Sequence, residues 1–297
     1  MPPDPPDPPE LADAFLAERG RLTGVAYRML GSLAEAEDIV QEVFLRWRDG
    51  RPDDLREAGA WLTTVTVRLC LDQLRSARVR RESYVGPWLP EPVDEGALNP
   101  FEALAQREDL SLALLLALEA LSPSERAAFL LHDVFDFGFA EIARTLETSE
   151  ANCRQLASRA RRKVRAERPA PSAGKDELNA LYDRFEAACM SGDPKALLAL
   201  LDDDAVLLSD GGGKVTAALN PIRGAANVSR FFLGIAGKAP PGTELRRLVL
   251  NGSPALVVYV DGVVFVTIHF DVAGGRICRI LAVRNPDKLR HVPPLRV

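Results

Sequence analysis

The first part of the chain carries apolar residues at three- and four-residue spacing, which is the period of amphipathic helices. In "AEDIVQEVFLRW" (36–47) these positions fall on one side of such a helix, and "AWLTTVTVRLCLDQLRSARVRR" (60–81) repeats the pattern. The β-branched run "TTVTV" suits a strand by propensity, but the segment is longer than ordinary strands. We therefore expect a helical domain over residues 10–82.

A second helical stretch is predicted for residues 102–168. Within it, Ser122 begins a capping box that Glu125 closes, with proline at the first helical position. Residues 139–166 then predict a short helix, a tight turn and a longer basic helix. This order is typical of a helix-turn-helix unit, although an ordinary helical hairpin in a bundle gives the same pattern.

Proline and glycine interrupt the helical pattern in two places, which we interpret as linkers. Residues 83–101 contain four prolines and the string "WLPEP" (88–92), and residues 169–175 form a shorter break. A tryptophan is unusual in a linker, so we expect it to dock on a folded surface, although a lone surface tryptophan remains an alternative.

The last part of the chain, residues 176–297, has a different pattern. It predicts two helices, a strand, one more helix and three β-rich runs, with the turn signals "NGSP", "DG" and "AGG". Helices followed by a meander of strands indicate an α+β domain. The predicted fold is therefore multidomain, with two all-α domains before one α+β domain.

Composition favours a soluble globular protein, with 47% hydrophobic and 27% charged residues in a chain of 297. No apolar run approaches the roughly 20 residues of a membrane helix. The opening "MPPDPPDPPE" lacks the apolar core of a signal peptide, and the four cysteines are widely spaced with few histidines nearby. We therefore expect a cytoplasmic protein without membrane contact, and we predict no metal and no cofactor.

The net charge of −5 hides two basic blocks without acids, "RSARVRR" (75–81) and "RQLASRARRKVR" (154–165). One such run is usually a solvated helix face, but two favour contact with nucleic-acid phosphates. In a helix-turn-helix unit, residues near the start of the second helix read bases while arginines hold phosphates. The candidate DNA-binding residues are Arg75, Arg78, Arg80, Arg81, Asn152, Arg154, Gln155, Arg159, Arg161 and Arg162.

The α+β domain offers few groups for catalysis: Asp210, Asp261, His269 and Asp271. Strand alternation places Val264, Val266, Ile268 and Phe270 on one face and Phe265, Thr267 and His269 on the other. A strand histidine is more often a hydrogen-bonded structural residue than a base. Because no spacing specifies a triad or a carboxylate pair, we predict no catalytic residues.

The string "DGGGK" (210–214) holds three adjacent glycines. It lacks the spacing of a P-loop, and valine follows the lysine where serine or threonine is needed. The flanking strings "DAVLLSD" and "KVTAAL" have the composition of strands. Taken alone, the glycines therefore predict a hairpin turn or bulge.

Several strings occur together in the first 168 residues. They are "AEAEDIVQEVFLRW", "AWLTTVTVRLCLDQLRS", "LSPSERAAFLLHDVFDFGFAEIA" and "ANCRQLASRARRKV". In this order they resemble the extracytoplasmic-function (ECF) sigma factors of bacteria. The resemblance implies a protein that binds core RNA polymerase and directs promoter recognition, with no enzymatic activity of its own.

The same resemblance implies specific roles for the matching segments. The residues that match the contact with the β′ clamp helices of the polymerase are Asp38, Gln41, Glu42 and Phe44. The helix that ends in the first basic block matches the reader of the minus-10 element, and the second helix of the helix-turn-helix unit matches the reader of the minus-35 element. The implied polymerase partners are the β′ clamp helices and the β flap.

The order of elements after residue 176 resembles the SnoaL-like fold, whose members include polyketide cyclases and binding modules. The strings "WLPEP", "DGGGK" and "NPDKL" (285–289) together resemble an ECF group in which this domain is a fused regulator. The implied interdomain residues are Trp88, Leu89, Asp210, Gly211, Gly212, Gly213, Lys214, Asn285, Pro286, Asp287, Lys288 and Leu289. A module that binds an unidentified small ligand, or a cyclase- or isomerase-like enzyme, is the alternative for this domain.

Overall fold

The computed structural model describes residues 8–50, 58–94, 111–167 and 174–295. The chain divides into two compact units. The first unit contains residues 1–80, 98–109 and 117–164. The second unit contains residues 81–97, 110–116 and 165–297. The beginning of the predicted linker therefore groups with the C-terminal α+β domain.

Three long helices begin the first unit: α1 (Pro8–Leu30), α2 (Leu33–Gly50) and α3 (Ala58–Glu82). Their apolar faces meet in a core that includes Phe15, Val43, Trp47 and Leu62. The "TTVTV" run lies inside α3, where Thr63 and Thr66 donate hydrogen bonds to carbonyls one turn earlier. Burial of the neighbouring apolar side chains overrides the strand propensity of this run.

The helix-turn-helix part is built from α4 (Leu112–Glu119), α5 (Pro123–Phe129), α6 (Phe139–Leu146) and α7 (Glu150–Glu167). The predicted capping box is confirmed, because Ser122 Oγ accepts from the Glu125 N–H at 3.3 Å and the Glu125 carboxylate accepts from the Ser122 N–H at 3.0 Å. Residue Glu147 ends α6 in the left-handed conformation (φ 53°), and Ser149 Oγ accepts from the first turn of α7. A tight turn therefore separates the two helices, as predicted.

The second unit alternates helices and strands. Its elements are α8 (Lys175–Ser191), α9 (Pro194–Leu200), β1 (Leu201–Asp210), β2 (Ile222–Arg223), α10 (Ala225–Ala236), β3 (Thr243–Leu250), β4 (Ser253–Val260), β5 (Val263–Ala273) and β6 (Arg276–Val283). The sheet order is β2-β1-β6-β5-β4-β3, and all pairs are antiparallel except β1 with β6. This is the α+β architecture expected for a SnoaL-like domain.

The sheet has two apolar faces with different partners. One face packs against α8, α9 and α10, and the rings of Tyr182 and Phe270 stack there with centroids 4.1 Å apart. The other face is covered by Leu89 of the linker and by Leu289 and Val292 of the C-terminal tail. Burial of these residues explains why a proline-rich linker is held on the domain surface.

Two local predictions for this unit are wrong. The "KVTAAL" string forms no strand, because β1 ends at Asp210 and pairs with β2 and β6, so the glycines begin a longer loop instead of a hairpin turn. In β5 the alternation is interrupted by a bulge opposite Val258 and Tyr259, so Val264 packs on the linker side. One extra residue in a strand moves the side chains on its two sides to opposite faces.

Candidate functional site

The carboxylate of Asp210, at the end of β1, is fully buried and accepts hydrogen bonds from several segments. The Tyr84 hydroxyl donates to it at 2.6 Å, the Leu89 N–H at 2.9 Å, and Lys288 Nζ at 2.7 Å. The Gly212 N–H donates at 3.0 Å. A single carboxylate therefore joins the linker, the glycine loop and the C-terminal tail.

Lys288 completes this group, which we call the Asp210 site (Tyr84, Leu89, Asp210, Asn285 and Lys288). Its ammonium donates to the Leu89 carbonyl at 2.5 Å and lies 4.1 Å from the centroid of the Trp88 ring. Burial and the hydrogen bond to Asp210 raise the pKa of Tyr84, so its hydroxyl remains a proton donor. Asn285 Nδ2 donates to the same hydroxyl oxygen at 2.9 Å.

The three glycines of the loop make room for these contacts. Gly212 and Gly213 have left-handed φ values of 59° and 70°. A Cβ atom on Gly212 would overlap the Asn285 amide, and one on Gly213 would lie 3.1 Å from Val85 Cβ. A Cβ on Gly211 would lie 2.6 Å from the carbonyl oxygen of Val215. Side chains at these positions would therefore displace either the linker or the loop itself.

Further contacts hold the linker beyond the Asp210 site. The Val93 N–H donates to Asn251 Oδ1 at 3.0 Å, and the Asn251 N–H donates to the Val93 carbonyl at 2.9 Å. Glu91 is buried, and its carboxylate lies 2.5 Å from His291 Nδ1. The "WLPEP" segment is therefore docked on the folded domain, as its tryptophan suggested.

Lys214, Pro286 and Asp287 lie at the exposed edge of the same region. Lys214 pairs with the Asp287 carboxylate, and Arg290 Nη2 donates to it at 2.9 Å. The hydrogen bond from Lys214 holds the pKa of Asp287 below its usual range. The segments "DGGGK" and "NPDKL" therefore contact each other through two ion pairs. The pair of Asp210 with Lys288 is buried, and the pair of Lys214 with Asp287 is exposed.

The groups considered for catalysis have structural partners instead. His269 is buried on the linker side of the sheet opposite Leu281, and burial lowers its pKa to about 3. Its Nε2 lies 3.2 Å from Thr267 Oγ1. Asp271 pairs with Arg279 at 2.5 Å, and Asp261 lies in the turn between β4 and β5 with a φ of 51°.

Among the described residues, no group of three or more His, Cys, Asp or Glu side chains is placed to hold a metal ion. In the same ranges, no helix is long and apolar enough to cross a membrane.

The polymerase-contact residues predicted on α2 lie on its surface. Asp38 and Gln41 are exposed, and Glu42 pairs with Arg46 at 2.9 Å. Phe44 is 37% exposed, and its ring centroid lies 4.9 Å from that of Phe15. Helix α2 therefore presents acidic, polar and aromatic groups together to solvent.

The first basic block lies at the end of α3. Arg75 is exposed and pairs with Asp72 at 3.1 Å. Arg78, Arg80 and Arg81 belong to the helix, but their side chains lie outside the described residues.

The second basic block lies on α7, where several cations pair with other elements. Arg159 and Lys163 pair with Glu125 at 3.3 and 2.7 Å, and Arg161 pairs with Asp133 at 2.6 Å. Burial opposes ionisation of Glu125, but hydrogen bonds from Lys163 and Ser122 outweigh it and hold its pKa at about 2. These pairs orient α7 on α5 while leaving its outer face exposed.

The two helical parts of the first unit contact each other. Thr64 Oγ1 lies 3.1 Å from Thr145 Oγ1, and Arg68 pairs with Glu147 at 3.0 Å. Arg126 is 3% exposed and donates through Nη1 to the Met29 carbonyl at 2.6 Å, and burial lowers its pKa to about 10. The helix-turn-helix part is therefore packed against α1 and α3.

The sequence predictions did not include Tyr84, Arg126 or Thr145. Tyr84 lies four residues before "WLPEP", and its position in the linker was the available signal. Arg126 and Thr145 had none, because each looks like an ordinary helix residue until the packing of another helix buries it.

Comparison with known proteins finds two family models that match separate parts of the helical region. Residues 14–80 match the family model "Sigma-70 region 2", and residues 111–164 match "Sigma-70, region 4". The chain is 41% identical over 293 residues to the ECF RNA polymerase sigma factor SigJ of Mycobacterium tuberculosis, which covers 94% of this chain and 93% of that protein. It is 32% identical over 281 residues to the probable ECF RNA polymerase sigma factor SigI of the same species, with 93% of each covered. The crystal structure of SigJ superposes with a TM-score of 0.75 and 38% identity, over 95% of this chain and 99% of that one.

Proposed function

The chain belongs to the extracytoplasmic-function (ECF) sigma factors, and from this premise we propose that its SnoaL-like domain regulates the sigma domains through the linker it binds. As a sigma factor, the protein binds core RNA polymerase and directs promoter recognition and transcription initiation. The proposed regulation is built into the same polypeptide.

The observation that carries this proposal is the buried Asp210 site. The linker that joins the two sigma domains is held there at Tyr84 and Leu89. A buried ion pair such as Asp210 with Lys288 depends strongly on both partners, because an unpaired charge in that position is costly. The site therefore suits a two-state element: the linker is either held on the domain or released from it.

The test uses full-length protein with core polymerase and a promoter selected by that holoenzyme. Asp210→Asn removes the charge that Lys288 needs, and it should change the amount of transcript while core binding stays intact. Lys214→Ala, which breaks only an exposed pair, is the matched control. The proposed regulatory role would be contradicted if Asp210→Asn increased proteolysis of the linker but left transcription unchanged.

We also propose that Asp38, Gln41, Glu42 and Phe44 contact the β′ clamp helices, and that the region 4 part contacts the β flap. An acidic helix with an exposed aromatic ring suits a basic helical partner. Asp38→Ala should weaken capture of core polymerase by the full-length chain. Glu37→Ala removes the same charge at the adjacent exposed position and should have a smaller effect. Equal effects of the two variants would argue against a specific contact at Asp38.

A further proposal concerns DNA. The end of α3, with Arg75, Arg78, Arg80 and Arg81, would contact the minus-10 element, and α7 would contact the minus-35 element. Cationic side chains beside unstacked or paired bases supply the electrostatic part of such binding. Charge-neutralising variants at Arg75 should reduce promoter opening more than they reduce core binding, as measured by permanganate footprinting.

A further inference from the structure

We propose that Gln155 and Ser158 are the base-reading residues of α7, whereas Asn152 and Arg154 position the helix. This assignment rests on the proposed role of α7 in binding the upstream promoter element. The sequence assigned base reading only to the start of the helix, whereas this proposal assigns it to individual side chains.

The residues of α7 divide into a buried stripe and an outer face according to their angle around the helix axis. The buried residues of α7 are Cys153, Leu156, Ala157, Ala160 and Val164. At about 100° per residue, Gln155, Ser158 and Arg162 lie within roughly 40° of the direction opposite this buried stripe. All three are exposed, and within the described part of the chain their side chains form no hydrogen bond. They therefore project farthest from the protein and remain available to a ligand.

Asn152 and Arg154 differ because they lie roughly 80° from the direction opposite the buried stripe, on the flanks of α7, and each also has a local partner. Asn152 Nδ2 donates to Thr148 Oγ1 at 3.0 Å, which directs the amide back to the turn. Arg154 pairs with Glu150 at 2.7 Å, and its guanidinium lies 5.2 Å from the Phe139 ring centroid. These contacts fix the turn and the angle between α6 and α7, which is a positioning role.

The chemistry of the outer face fits the major groove of duplex DNA. A glutamine amide can pair with adenine by donating to N7 and accepting from N6, and a serine hydroxyl can bond to several bases. Gln155 and Ser158 are about 4.5 Å apart along the helix axis, close to the roughly 3.4 Å step between base pairs. The exposed Arg162 on this side is a cation that can contact the phosphates.

The test selects upstream elements from a randomised library with holoenzyme made from the full-length chain. Gln155→Ala should lose preference for adenine at one position, by about 5- to 150-fold, while core binding is unchanged. Ser158→Ala should relax a neighbouring position by less. Asn152→Ala should keep the wild-type base preference, since its amide faces the turn.

Arg162→Ala provides the contrast with a phosphate contact. It should weaken binding to all sequences similarly and reduce the slope of log affinity against log salt by about 1. An unchanged preference in Gln155→Ala, or a relaxed one in Asn152→Ala, would overturn the assignment. A wild-type holoenzyme that binds core polymerase but selects no upstream element would overturn the proposed role of α7 and this assignment with it.

Discussion

The Asp210 site and the outer face of α7 are both built from charged side chains, but water reaches only one of them. Lys288 is 8% exposed and is paired with a fully buried carboxylate. On α7 the side chain of Arg162 is exposed and, within the described residues, forms no ion pair. Charges held away from water fix one arrangement, whereas exposed charges remain available to a second partner such as DNA.

The strongest test of this difference is to break the buried pair. Lys288→Met leaves Asp210 buried without its cation, and we expect the free energy of unfolding of the second unit to fall by about 3–5 kcal/mol. Hydrogen exchange of peptides from β1 and β6, measured at increasing urea concentrations, would report this loss of stability locally.

A double variant then separates charge burial from packing. Adding Asp210→Asn to Lys288→Met removes the unpaired charge and should recover part of the lost stability. If the double variant were less stable than Lys288→Met alone, hydrogen bonds from Tyr84 and Leu89 to the carboxylate would be the main stabilising interaction instead.

Glu125 is an intermediate case, since a buried carboxylate is held there by half-exposed cations. Its pKa is about 2 in the folded chain, below the ordinary value of 4.5. A lowered pKa contributes stability that is fully present above the unfolded value and is lost as the pH falls through the folded value. Between about pH 4.5 and pH 2 the first unit should therefore lose on the order of 2–3 kcal/mol through this residue. Hydrogen exchange in α5 should show this loss.

Glu125→Gln is the matched variant, because it keeps the shape and cannot ionise. The difference in stability between wild type and Glu125→Gln should shrink as the pH is lowered through this window. A difference that stays constant from pH 6 to pH 3 would mean that the capping hydrogen bonds, not the charge, account for the effect.

Two glycines with nearly equal backbone angles test the close approach at the linker. Gly212 and Gly274 have φ values of 59° and 58°. A Cβ atom on Gly212 would overlap the Asn285 amide, whereas a Cβ atom on Gly274 would lie in open space. Gly274→Ala should cost about 1 kcal/mol from backbone strain alone. Gly212→Ala should cost more and should also increase proteolysis in residues 83–94. Equal costs without proteolysis would show that the loop yields and the linker contact is not tight.

The helices were predictable because periodicity and caps are local signals. The capping box of Ser122 and Glu125 follows from the sequence and is present in the structure. The "KVTAAL" string failed as a strand because β1 is paired with β2 and with the distant β6. A pattern of strand-like residues does not specify which partner, if any, completes the ladder.

The sequence grouped three strings as interdomain residues, but it did not predict which of their side chains are buried. Composition cannot distinguish Asp210, which is fully buried, from the exposed carboxylates of the same domain. The face on which Val264 lies likewise depended on the bulge near Phe265, which has no local signature. Chemistry that depends on burial is fixed by residues far away in sequence, here Tyr84, Leu89 and Lys288.

The smallest predicted effect comes from the exposed pair in the same two strings. Lys214 and Asp287 have side chains that are 53% and 41% exposed, so water and salt screen their attraction. Lys214→Ala should therefore change stability by no more than about 0.5 kcal/mol, and the change should vanish in 1 M salt. Lys288→Met should keep most of its effect in the same salt, because its partner is buried. A large, salt-resistant loss in Lys214→Ala would mean that the exposed edge also holds the linker, and that burial alone does not distinguish the two pairs.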